Sequence, residues 1–134
     1  MNDTQLDERL EAIEAGYEFC LAYAAQGRSD DAGTPLRQTL ERMFAALEGL
    51  APQLESTFPL EGKYSASTRG FLEAVKRDAA VAQGAIGLVL GRKAISSMLV
   101  DNLNASIHLR ALLTDLFLID QAKMGTKMGT LPNS

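Results

Sequence analysis

His108 is the sole histidine of the chain and Cys20 its sole cysteine, so imidazole and thiolate chemistry each have one place to occur. A phosphoacceptor, a general base or a metal centre would have to be built around that one imidazole. Ser97, Asp101, Asn104, His108, Ala111 and Asp115 recur at steps of three and four. That spacing puts His108 in a polar row along one side of a helix, where it is expected to meet solvent or a partner. Structural zinc takes four ligands, and a carboxylate-bridged metal pair takes Glu-x-x-His on two helices, whereas the residue three before His108 is Ala105. Haem attachment through Cys-x-x-Cys-His fails on the cysteine count. No metal and no cofactor are expected. Cys20 falls on the apolar seam of the first predicted helix and reads as a buried small hydrophobe rather than a nucleophile.

The remaining candidates are charged and aromatic residues that stand out of pattern. Asp7, Glu11, Glu14 and Glu18 form an acidic row at spacings of four, three and four, which reads as a solvated face or, alternatively, as a surface for a basic partner. Phe19 and Tyr23 make a second apolar row on the same helix, suited to core packing or to a protein-binding patch. Near the C-terminus Leu99, Leu103, Ser106, Arg110, Leu113 and Phe117 run beside the main apolar seam. Arg110 and Asn102 stand where leucine would pack, and a buried guanidinium needs a carboxylate or another anion beside it. Phe19, Tyr23, Leu99, Leu103, Arg110 and Phe117 are therefore the candidate partner or ligand contacts. No catalytic residue is assigned, because no Ser/His/Asp grouping, phosphate-cradling glycine loop or aromatic platform for bases is present.

Helices must position all of these groups. Leu6, Leu10, Ile13, Tyr17, Cys20 and Ala24 predict a first helix over about 4–26, stopped by Gly27. Thr34 as cap and Pro35 in the first turn open a second, with Leu36, Leu40, Met43, Leu47, Leu50 and Leu54 on its seam; Pro52 predicts a kink or an end near Gly49 to Ala51 and a short continuation to about Ser56. A third begins with Ser65 or Ser67 as cap, buries Leu72, Val75, Ala79, Ala82, Ile86 and Val89, and ends at Gly91. Its Ala80, Gly84, Gly87 and Gly91 form a small-residue strip for close helix packing, a groove or a hinge. The longest pattern, Ala94 to Lys123, has neither Pro nor Gly and predicts one unbroken helix, the hub of the fold. Its seam is Ile95, Met98, Asn102, Ala105, Leu109, Leu112, Leu116 and Ile119. Four such segments make an antiparallel up-down-up-down four-helix bundle, a single domain over 1–124 followed by a flexible tail over 125–134.

Composition bounds the function. A length of 134 residues with 46% apolar and 22% charged residues suits one globular domain, and a net charge of −4 argues against nucleic acid as partner. The most apolar run, Ala79 to Leu90, contains two glycines and falls short of the ~20 residues needed to span a bilayer. The acidic amphipathic N-terminus is unlike a signal peptide, so a cytoplasmic location without membrane contact is expected. In length, helicity and single exposed histidine the chain is similar in outline to histidine phosphotransfer domains. The lysine and glycine that follow the histidine at three and four residues in that family are Ala111 and Leu112 here, and Asp101 and Asp115 flank the imidazole where phosphate wants cations. The expected function is a non-enzymatic interaction protein: a small acidic chaperone, adaptor or regulator that forms a homodimer or binds another protein. A small-ligand-binding bundle is the alternative.

Overall fold

The computed structural model describes residues 3–58 and 60–129, with side chains described over 5–58 and 60–123. All regular structure among these residues is helical: α1 (Asp3–Ala24), α2 (Leu36–Glu48), α3 (Leu50–Thr57), α4 (Ser65–Leu90), α5 (Ser97–Asn104) and α6 (Ile107–Gly129). Six helices stand where four were expected, because two of the four segments are interrupted. The expected tail boundary at Met124 falls inside α6, and residues 130–134 lie outside the described residues.

The first interruption is the one Pro52 forecasts. α2 ends at Glu48, Gly49 turns the chain, and α3 restarts with Pro52 in its first turn, where the missing N–H had no helical acceptor to lose. Arg9 of α1 braces the junction: its Nη1 donates to Ala46 O at 2.8 Å and its Nε to Gln53 Oε1 at 2.6 Å. A Cβ at position 49 would stand 3.0 Å from that guanidinium, so glycine is what lets the arginine reach the end of α2.

The second interruption overturns the hub helix. Residues Gly91 to Ser96 form a turn, α5 begins with the Ser96 side chain accepting from Leu99 N at 3.0 Å, and the chain breaks again at Ala105 and Ser106 before α6. Buried contacts made by α5 explain the break. Ser97 Oγ donates to Tyr23 O at 2.7 Å, and Asn104 Nδ2 donates to Cys20 O at 3.2 Å, so these two residues of the polar row face α1 while Asp101 of the same row stays exposed. Ser97 and Asn104 are buried, whereas Met98, assigned to the core seam, is 74% exposed, and Asn102 and Ala105 are exposed too. Beyond the break the expected seam resumes, with Leu109, Leu112, Leu116 and Ile119 all buried. The two apolar stripes are out of phase, and one straight helix cannot bury both.

α4 stays whole through the glycine strip to Leu90, beginning with Tyr64 rather than a serine in the capping position. Along the strip, close approach occurs at Gly87, where a Cβ would meet the Phe44 ring at 3.4 Å; Gly84 faces open space. α1 packs on α2 and α5, and α4 on α2 and α6, around one core that joins Leu10, Ile13, Leu40, Met43, Val75, Ala79, Ile86, Leu112 and Leu116. Among the described residues α1 and α6 touch each other sparsely. No helix among the described residues is long and apolar enough to cross a membrane.

Candidate functional site

The structure disperses the six residues singled out as partner contacts. Tyr23 is fully buried: its hydroxyl lies 2.6 Å from Ile95 O and 2.9 Å from Asp30 O, donating to one of them at a time, and burial raises its pKa. Leu103 and Leu113 are also buried within the chain, so these two members of the second row belong to its own core. Phe19 and Leu99 are half-buried against that core. Arg110 is exposed, a correction to its placement on a buried seam, since the break before α6 turns it outward. Phe117, 50% exposed, remains an accessible apolar group. His108 is exposed, as its row predicts, but its neighbour comes from another helix: Nδ1 stands 3.3 Å from Asp78 Oδ1 of α4. No group of three or more His, Cys, Asp or Glu side chains among the described residues is placed to hold a metal ion. Cys20 is buried, and burial pushes its thiol up to about 12, which keeps it protonated and unreactive.

Sequence reasoning missed a polar cluster that clamps the loop after α1 to the loop after α4. Asp31 Oδ1 accepts from Ile95 N at 3.0 Å and its Oδ2 pairs with Arg37 Nε at 3.2 Å. Arg37 in turn donates to Leu90 O and Arg92 O, both at 2.9 Å, closing the C-terminal end of α4. Burial alone would raise the Asp31 pKa; the Ile95 amide and the Arg37 guanidinium outweigh it and hold the carboxyl below its ordinary value. Arg28 and Ser97 tie the same loops through Ser97 N to Arg28 O and Arg28 N to Ser97 Oγ, both 2.9 Å. These internal bonds give the clamp a structural role, holding the two loops together.

Two grooves offer more. Asp7, Glu11, Glu14 and Glu18 of α1 face Asp120 of α6 across a groove of about 390 Å³ floored by Leu10 and Ala15. Glu14 Oε2 is shut off from solvent without a hydrogen-bond partner, and burial, then Asp120, Glu11 and Glu18, raise the Glu14 pKa. At one side of this seam Lys123, nearly wholly buried, donates to Asp7 Oδ1. The second groove, about 250 Å³, exposes apolar surface alone. Phe58 after α3, Thr68, Phe71 and Leu72 on α4, and Leu118, Ile119 and Ala122 on α6 line it, with Leu118 59% exposed at its rim. Its aromatic walls come from segments that the sequence reading left as a connection and a helix start. The fold brings them together where α3 and α6 flank the N-terminal turns of α4. No protein-family model, curated protein or solved structure matches the chain.

Proposed function

We propose that the protein is a non-enzymatic interaction module that receives an apolar side chain of a partner protein in the groove between α3, α4 and α6. The observation that carries this reading is the groove itself: Phe58, Phe71, Leu72, Leu118, Ile119 and Ala122 wall it together with Thr68, the surface it exposes is apolar, and Leu118 stands open at its rim. Pockets of this chemistry, desolvated by an inserted side chain and surrounded by polar rims, are where the affinity of protein interfaces concentrates. Catalysis has less to draw on, with an isolated histidine and a protonated buried thiol. A ligand-enclosing bundle has less support too, because the two grooves described, about 390 and 250 Å³, both open to solvent.

We read the six helices as an antiparallel bundle of four columns, α2 with α3 and α5 with α6 each acting as one bent column. The homodimer is the form of this function that needs no second protein. It rests on Phe117 and Leu118, since Leu103 and Leu113 already have an internal partner. Capture experiments with the wild type and Leu118→Arg, alongside the exposed control Arg110→Ala, test the reading. A specific partner, or the second copy seen by sedimentation as a species above 14.4 kDa, is expected to be lost by at least roughly tenfold in Leu118→Arg and kept in Arg110→Ala, the scale of a single anchor residue. Equal binding by both variants would sink it.

A further inference from the structure

The seam between α1 and α6 combines features that work against each other. α1 rests on α2 and α5, and α6 rests on α4, but between α1 and α6 themselves the packing among the described residues is sparse. Carboxylates line both banks: Asp7, Glu11, Glu14 and Glu18 on one side, Asp120 on the other. Like charges across a partly desolvated groove repel more strongly than on an open surface, and Glu14 Oε2 has no donor to offset this. A single attractive cross-link opposes them among the described residues, the ion pair from Lys123 on α6 to Asp7 on α1. Its lysine side chain is 4% exposed and the aspartate 46%.

We propose that the Lys123–Asp7 pair is a latch: it holds the C-terminal half of α6 against α1 in spite of the repulsion of Asp120 by Glu11, Glu14 and Glu18, and its release opens the seam between the two helices. An ammonium as buried as Lys123 cannot stay in place without its carboxylate, so the helix moves and the ion reaches water. Movement stays local. α5 is fastened to α1 through Asn104 and Ser97, and the break at Ala105 and Ser106 separates it from α6, so α6 pivots on its contact with α4 while α5 stays. Leu10, now 2% exposed on the floor of the groove, would be uncovered. The moving segment carries Leu118, Ile119 and Ala122 of the docking groove, but the latch rests on the α1–α6 seam alone.

Hydrogen exchange followed by mass spectrometry on the full chain tests it. Asp7→Ala is expected to speed exchange of the α6 amides over 112–123 by roughly tenfold or more, with α2 and α4 at wild-type rates, the mark of local opening. Glu14→Gln, which removes repulsion and leaves the pair intact, is expected to slow the same amides. The reversed pair Asp7→Lys with Lys123→Asp is expected to bring exchange back toward the wild type. Unchanged α6 exchange in Asp7→Ala, equal loosening of all helices, or failure of the reversed pair to restore protection would each overturn the latch. Should Asp7→Ala not fold, Glu14→Gln decides alone: slower α6 exchange supports the latch, and equal or faster exchange refutes it.

Discussion

Two carboxylates with opposite electrostatic surroundings give this protein a pH dependence that can be read residue by residue. Asp31 is held below its ordinary pKa by the Ile95 amide and Arg37, against the effect of burial. The ionised form therefore favours the fold: its contribution is present above the unfolded-state pKa and is lost as pH falls through the folded one. Glu14 is raised, by burial first and then by Asp120, Glu11 and Glu18. Its protonated form favours the fold, so its stabilising share is full below the unfolded-state pKa and lost as pH rises through the folded one. Chemical denaturation from pH 3 to pH 8 should then separate two variants. Asp31→Ala is expected to cost about 1.5 to 3 kcal/mol at neutral pH, the range for hydrogen bonds to a charged group, with a smaller deficit in acid. Glu14→Gln is expected to stabilise at neutral pH and to converge on the wild type in acid. A Glu14→Gln gain that grew on acidification would contradict the assigned sign.

At the scale of an element, the break between α5 and α6 decides which side chains form the core. The uninterrupted reading of 94–123 assigns Met98 to the seam, whereas α5 buries Ser97, Val100, Leu103 and Asn104. Side-chain truncation discriminates between the two phases. Leu103→Ala is expected to cost about 2 to 5 kcal/mol, as buried leucines do, and Met98→Ala to stay within roughly 0.5 kcal/mol, as exposed substitutions do. Thermal melts in which Met98→Ala proved the more damaging would restore the straight helix. α1 is the contrasting case, because its rhythm is continuous: Leu6, Leu10, Ile13 and Cys20 of its seam are buried and Tyr17 and Ala24 are half-buried against the same core. In α1 the unforeseen residue is Gly16, where a Cβ would overlap the Met43 side chain, so that glycine sets how closely α2 can approach.

For the whole molecule, one core cluster links residues of all six helices, so tertiary unfolding is expected to be a single cooperative transition. Leu112, fully buried on α6, tests that coupling. Leu112→Ala should lower stability by about 2 to 5 kcal/mol, a large part of the ~5 to 15 kcal/mol usual for a domain. Probes on α1 and on α4 should report the same shifted midpoint. Midpoints that separate would mean that α6 and α4 unfold apart from the rest.

What the sequence determined by itself is local. Heptad spacing, Gly27, Gly91 and Pro52 are signals carried within one or two helical turns, and they specify the helical class, the C-terminal ends of α1 and α4, and the α2–α3 joint, whereas the N-caps of α2 and α4 fall on Pro35 and Tyr64 rather than on Thr34 and a serine. The burial of Leu109, Leu112, Leu116 and Ile119 was legible in the same way, since a three-four rhythm has one apolar side wherever the helix lies. Tertiary structure decided the rest because the deciding partners are distant in the chain. Asn104 and Ser97 are polar in any local pattern, and it is the carbonyls of Cys20 and Tyr23, more than seventy residues away, that make burying them favourable and break the helix after them. The same holds for the candidate sites. The acidic row on α1 was visible, but Asp120 facing it and Lys123 bridging it were not; Phe58 and Phe71 carried no periodic signal until α3, α4 and α6 met around them. Periodicity reports which side of a helix is apolar, and only the packed fold determines which helix that side meets.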